Sequence, residues 1–159
     1  MPGEITIYAD GASSGNPGPG GYGVVMISGK HRLEKSAGFK LTTNNRMELM
    51  AVIEGLEALK IPDSKVTVYT DSRYVADSVE KGWVFQWESK GFKKKKNPDL
   101  WIRFLKIYRK HNVRFKWVKG HASNIENEVC DRLAVNAYQK NSLLEDIGYN
   151  LDNDNEKLI

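Results

Sequence analysis

Two short segments constrain the fold of this chain more than any other feature. Ile7-Tyr8-Ala9-Asp10 and Val68-Tyr69-Thr70-Asp71 share one design, an apolar run ending in an aspartate followed by a small residue. Ile5 to Asp10 alternates with period two, which predicts a strand. Lys65 to Thr70 does the same, with Val66 and Val68 set against Thr67 and Tyr69. If the two strands are parallel neighbours, both carboxylates leave the sheet side by side at its C-terminal edge, where open α/β sheets place their ligand sites. Two anions there repel each other unless a cation intervenes, and a hard divalent ion with oxygen ligands is the fitting one.

The remaining pattern surrounds these strands with helices. Gly11 to Gly23 is dense in Gly, Pro, Ser and Asn and reads as a loop, followed by strands over Tyr22–Ile27 and Leu33–Leu41. Asn45 to Lys60 reads as a helix, because Leu49, Val52, Ile53, Leu56 and Leu59 recur every three to four residues, and Pro62 stops it. Ser72–Val79 and Pro98–Lys110 read as further helices and Val113–Val118 as a fifth strand. Ser123-Asn124-Ile125-Glu126 reads as a capping box opening a last helix, with Cys130, Leu133, Ala134 and Ala137 as its apolar stripe. Three strands followed by alternating helices and strands predict an α/β domain with a mixed sheet.

Length and composition bound the rest. A chain of 159 residues, 40% hydrophobic and 28% charged, suits one globular domain. It has no apolar run of membrane-spanning length, and Met1-Pro2-Gly3-Glu4 lacks the basic and apolar regions of a secretory leader. With Cys130 alone no internal disulfide is available, so a reducing cytoplasm is the expected compartment. From Lys81 to Lys119 there are 13 Lys and Arg against Glu88 and Asp99, a local +11; the net charge is +4, so the remainder sums to −7. So uneven a distribution points to a polyanion gripped at one place, the plainer alternative being a solvated charged face.

Two further carboxylates are placed to join the strand-end pair. Glu48 falls in the first turn of the helix after strand 3, and Asp131 two turns into the last helix. Spacing leaves both open to ordinary roles, Glu48 as a capping-box partner of Asn45 and Asp131 as a surface carboxylate. Mg²⁺ binds through a few carboxylates plus substrate phosphate, and two such ions about 4 Å apart clamp the attacking and leaving oxygens of a phosphodiester.

Five segments, in order and in register over roughly residues 4–149, resemble bacterial type 1 ribonuclease H. They are Asp10 to Gly23; Thr42-Thr43-Asn44-Asn45-Arg46-Met47-Glu48-Leu49; Thr70-Asp71-Ser72-Arg73-Tyr74-Val75; Trp117-Val118-Lys119-Gly120-His121-Ala122; and Glu126 to Ala134. Leu144-Glu145-Asp146-Ile147-Gly148-Tyr149 is similar to that family's C-terminal segment. The resemblance implies a ribonuclease H-like α/β fold, a five-stranded mixed sheet with strand 2 antiparallel and helices on both faces. It implies an endonuclease that hydrolyses the RNA strand of RNA–DNA hybrids by a two-metal-ion mechanism, leaving 5′-phosphate and 3′-hydroxyl ends. Asp10, Glu48, Asp71 and Asp131 would hold Mg²⁺, with Mn²⁺ as a possible substitute. His121 would assist proton transfer or product release, as an imidazole titrating near neutrality can. Gly11, Ser13, Asn16, Asn44, Asn45 and Arg73 would meet the hybrid, where the 2′-hydroxyl separates RNA from DNA. Removal of primers and R-loops by a cytoplasmic monomer is the cellular task the family implies.

The segment from about residue 81 to 98 resembles the family's basic protrusion. Lys93, Lys94, Lys95 and Lys96 would neutralise phosphates, and Trp83 and Trp87 would offer rings to sugars or bases while packing the protrusion, with Phe85, onto the body. Thr43 and Asn97 look like members of a pocket for a DNA-strand phosphate. Several positions depart from the family's common pattern: Ala12 for a serine, Ser13 for a cysteine, Leu41 for an arginine that Lys40 could replace, Arg73 for a glutamine, and Ile125 for a proline. Residues 1–149 are expected to form one catalytic domain and 150–159 a disordered acidic tail. A binding module without catalysis, a DNA resolvase or integrase core, and a basic scaffold are the competing readings. The first would have no need of four carboxylates, the second none of Asn16, Asn44 and Asn45 in these contexts, and the third leaves the paired strand-end aspartates unexplained.

Overall fold

The computed structural model describes residues 4–119 and 124–151. Five strands form one sheet in the order β3-β2-β1-β4-β5. They are β1 (Ile5–Ser13), β2 (Gly18–Ser28), β3 (His31–Thr42), β4 (Lys65–Thr70) and β5 (Asn112–Trp117). β2 runs antiparallel to β1 and β3, whereas β1, β4 and β5 are parallel. The expected mixed sheet with an antiparallel second strand is therefore the observed one. The helices are α1 (Asn44–Glu57), α2 (Arg73–Glu80), α3 (Trp83–Ser89), α4 (Pro98–Tyr108) and α5 (Ile125–Tyr138).

Alternation along β1 and β2 divides the side chains between two helical layers. Ile7, Ala9 and Val24 are fully buried with Met47, Leu49, Val52, Ile53 and Leu56 of α1. On the other face α5 crosses β2 and β3, where a Cβ on Gly21 would lie 2.5 Å from the Ala134 carbonyl oxygen and one on Gly23 2.2 Å from that of Cys130. Those glycines are therefore strand residues over which a helix backbone passes. This corrects the reading of Gly11 to Gly23 as a single loop: pairing runs from Thr6↔Ile27 to Ser13↔Gly20, leaving only residues 14–17 to turn the chain.

Helix ends follow local chemistry that periodicity does not report. Thr43, in extended conformation (φ −124°, ψ 161°), caps α1 by accepting from the Arg46 N–H, so the helix starts at Asn44 and Glu48 caps nothing. Its last turn closes at Ala58, short of the expected Lys60. Asn124 caps α5 by accepting from the Asn127 N–H at 3.1 Å, in place of the expected Ser123 box; Ser123 itself lies outside the described residues. α3, within the Trp-rich stretch, carries a single fully buried residue, Val84, too weak an apolar signal for sequence to reveal.

The C-terminal segment closes the structure. Leu144 exchanges backbone hydrogen bonds with Gly38 and Lys40 along the outer edge of β3. Asp146 then enters the interior, where it takes two bonds from the buried Arg46 guanidinium (2.8 and 2.9 Å) and one from the Thr42 hydroxyl (2.6 Å). Arg46 also holds Asp99 of α4 at 2.7 and 2.9 Å. Burial works to raise the Asp99 carboxyl, but these bonds outweigh it and hold it below the usual range. Residues 147–151 form a final helical turn, with the Asn150 N–H donating to the Asp146 carbonyl at 3.0 Å; residues 152–159, the rest of the expected acidic tail, lie outside the described residues.

Candidate active site

The parallel register that places Tyr8 opposite Tyr69 puts Asp10 and Asp71, each two residues further on, at the same edge of the sheet. The two tyrosines stack at 5.0 Å beneath them. The first turn of α1 brings Glu48 to the pair, and ligand oxygens of Asp10, Glu48 and Asp71 all lie within 4.8 Å of one another. Asp131 on α5 lines the same open cleft of about 460 Å³, with Gly11, Ser13, Asn44, Asn45 and Arg73. Four carboxylates from two strand ends and two helices thus line one cleft; the spacing of the strand-end aspartates suggested Asp10 and Asp71, and the family resemblance added Glu48 and Asp131.

Gly11 makes that convergence possible. A Cβ there would sit 2.3 Å from the Glu48 nitrogen and 2.4 Å from the Met47 carbonyl carbon, so no other residue lets α1 approach so closely. The Gly11 N–H donates to Asp10 Oδ1 at 2.9 Å and to Glu48 Oε1, pinning two carboxylates with one donor. Asp10 and Glu48 are buried. Burial pushes the Asp10 carboxyl from its ordinary 3.8 up to about 7; its hydrogen bond with Glu48 opposes the rise, and the Asp71 and Asp131 charges add to it. Burial, then its contact with Asp10, likewise holds Glu48 well above the usual carboxylate range. Such a cluster calls for positive charge, and an all-oxygen donor set suits a hard divalent cation.

The expected polar contacts fall around the cleft. Asn16 is exposed, and its side-chain oxygen accepts from the Asn44 N–H at 3.0 Å, bracing the residue 14–17 turn against the start of α1. Asn44 and Asn45 are exposed at the cleft mouth, and neither caps the helix. Asn97 has φ 64°, which turns its side chain away from capping α4 and between the Arg46 guanidinium and the Tyr74 hydroxyl. Arg46 also donates its backbone N–H to Thr43, so it joins Thr43 to Asn97. Lys40, the expected stand-in for a missing arginine, pairs instead with Glu145 at 3.1 Å. His121 lies outside the described residues.

The sequence profile of the RNase H family matches residues 2–139. The chain belongs to the RNase H family.

As a member of that family it is a nuclease. Its relatives include the ribonuclease H of Trichodesmium erythraeum (strain IMS101), 60% identical over 151 residues that span 92% of this chain and 96% of the relative. Among solved structures, LC9-RNase H1, described as a type 1 RNase H with the type 2 active-site motif, superposes with a TM-score of 0.79 at 34% identity, covering 87% of this chain and 74% of that one. LC11-RNase H1, solved in complex with an RNA/DNA hybrid, superposes with a TM-score of 0.64 at 31% identity, covering 85% of this chain and 96% of that one. Family members depend on divalent metal, and the carboxylate cluster gives such an ion a place here.

The basic protrusion stands beside the cleft of this RNase H family chain. Lys94, Lys95, Lys96 and Asn97 line a second hollow with Asn45, Tyr74 and Trp87, and Lys93 to Lys96 are all exposed. Phe85 and Trp87 pack against the core, as expected, with Trp87 edge-on to the fully buried Trp101 at 5.9 Å. Trp83 does not: it is 40% exposed and carries the Lys81 ammonium at 5.2 Å. Sequence reasoning missed Tyr74, which lines both hollows and whose hydroxyl accepts from Asn97 and from Trp101. Its place directly after Arg73 in the Asp71 motif was the available signal. Among the described residues no helix is long and apolar enough to cross a membrane.

Proposed function

We propose that this chain hydrolyses the RNA strand of RNA–DNA hybrids, using two Mg²⁺ ions held by Asp10, Glu48, Asp71 and Asp131 and leaving 5′-phosphate and 3′-hydroxyl ends. The observation that carries this reading is the convergence of three carboxylates within 4.8 Å on a cleft that Asp131 also lines. The donor set fits Mg²⁺: every candidate ligand is a carboxylate oxygen, and burial disfavours the ionised form of the two buried ones, a penalty that a bound cation would offset. When bound, the ions supply the positive charge that offsets charge developing on the attacking and leaving oxygens.

The chain's own residues do the rest. The Gly11 N–H fixes the Asp10 and Glu48 oxygens before substrate arrives. Asn44 and Asn45 offer amides to 2′-hydroxyls in the minor groove, with Asn16 holding the start of α1 in place. Gly11 and Ser13 line the path of the RNA strand beside them. Thr43 and Asn97 receive a phosphate of the DNA strand, and Lys93 to Lys96 with Trp83 and Trp87 hold that strand through its backbone and sugars. His121 moves a proton or speeds product release. Residues 1–149 form the catalytic domain of a cytoplasmic monomer that removes primers and R-loops, and Mn²⁺ replaces Mg²⁺.

The test is cleavage of one end-labelled RNA paired with DNA, paired with RNA, and single-stranded, each with Mg²⁺ and with EDTA. Mg²⁺-dependent cutting of the DNA-paired RNA alone, with 5′-phosphate products, is the expected result. Binding of the hybrid without cutting would overturn the catalytic reading.

A further inference from the structure

Arg73 and Trp117 form a unit that the proposed contacts leave half explained. The Arg73 guanidinium carbon lies 3.9 Å from the centre of the Trp117 ring. The Trp117 indole N–H donates to the Asp71 backbone carbonyl at 3.0 Å. One tryptophan at the end of β5 therefore holds the backbone of a carboxylate residue by its edge and an arginine by its face. Trp117 is 39% exposed, which is unusual for so large an apolar ring and means that core packing does not account for its position. Arg73 is exposed, lines the carboxylate cleft, and among the described residues makes no ion pair.

A guanidinium stacked on an indole keeps its in-plane N–H groups free, already oriented, and weakly hydrated. That fork matches two oxygens of a phosphate. The other charged residues that line the cleft are carboxylates, whose field favours a dication but repels the flanking phosphates of a nucleic acid. Arg73 is the cation placed at this wall to receive one. Lysine would lose both the stack and the fork.

We infer that Arg73, held by Trp117, binds a backbone phosphate of the strand being cut, and that Trp117 is a positioning residue that ties this contact to Asp71. The inference deepens the proposed hybrid-nuclease reading and rests on it. It goes beyond that reading by assigning the phosphate as the group Arg73 meets and by giving Trp117 a role.

The experiment measures KM, kcat and the salt dependence of KM for hybrid cleavage in wild type, Arg73→Ala, Trp117→Leu, the double variant and Trp117→Phe. Thermal melting of each variant is measured in parallel. Arg73→Ala is expected to raise KM about fivefold, with kcat within about twofold, and to lower the salt slope by about 1, the signature of one lost phosphate contact. Trp117→Leu should shift KM and the salt slope in the same way and also lower kcat, since the Asp71 carbonyl loses its indole donor; the KM of the double variant should be no higher than that of Arg73→Ala, and Trp117→Phe, which keeps a ring under the guanidinium, should recover most of the KM. Additive effects of the two single variants on KM, or an unchanged salt slope in Arg73→Ala, would overturn the inference while leaving the hybrid-nuclease reading intact. A wild-type protein that does not cut the hybrid would instead overturn that reading and the inference with it. If Trp117→Leu melts early, the Arg73→Ala slope and the Trp117→Phe recovery decide the matter.

Discussion

Neutralising Asp10 should stabilise the fold while abolishing cleavage. Asp10 is 6% exposed, and burial lifts its carboxyl from 3.8 to about 7. A carboxyl whose folded-state pKa is raised makes its full contribution to stability below about pH 4 and loses it as pH rises through about 7. At about 1.4 kcal/mol per pH unit, that gap of roughly three units costs up to about 4 kcal/mol at pH 8. Because Glu48 shares the local field, Asp10→Asn relieves only part of this, about 2 kcal/mol, or a melting-temperature rise of about 4–8 °C in a chain of this size. The assay is thermal unfolding of wild type and Asp10→Asn in EDTA at pH 8 and pH 5, repeated with Mg²⁺. The variant should melt higher at pH 8, and its advantage should shrink at pH 5, where the wild-type carboxyl is protonated. Mg²⁺ should stabilise wild type more than the variant, since it binds the folded carboxylates. Equal melting temperatures in EDTA at pH 8, or an advantage that grows toward pH 5, would refute the argument from buried charge.

Gly11→Ala should destabilise by about 1–3 kcal/mol in urea unfolding and lose activity, because the new Cβ separates α1 from β1. Asp146→Ala leaves the buried Arg46 cation with Asp99 as its remaining carboxylate and should cost about 3 kcal/mol, read as a lower urea midpoint at unchanged slope. Replacing Lys93 to Lys96 with Ala should raise KM more than it lowers kcat, and should reduce the salt slope by about 1 for each lysine that meets a phosphate. An unchanged slope would mean that those side chains are only a solvated face.

The sheet and the paired aspartates were legible because both rest on period-two alternation ending in a charge. Ile7, Val66 and Val68 are buried, and their shared register is what sets Asp10 beside Asp71. Glu48 and Asp131 needed the family resemblance, since helical spacing alone does not say toward which edge a first turn points. What stayed hidden depends on close approach between distant segments. Gly21 and Gly23 read as turn residues because nothing local reveals a helix backbone passing over them. Thr43 rather than Asn45 caps α1 because the cap is set by backbone angles, and each of these residues suits the role by type. Arg46 carried no signal of its own, because its partners Asp99 and Asp146 are 53 and 100 residues away.

That last distance bears on how the protein is made. Arg46 lies in the first turn of the helix that carries Glu48, yet the carboxylate that satisfies it most deeply is added a hundred residues later. During synthesis the N-terminal three strands and α1 leave the ribosome with a cation prepared for a partner not yet translated. Asp131 and Asp146 follow each other within 15 residues, so the metal-binding cleft and the clasp that secures its helix are completed together.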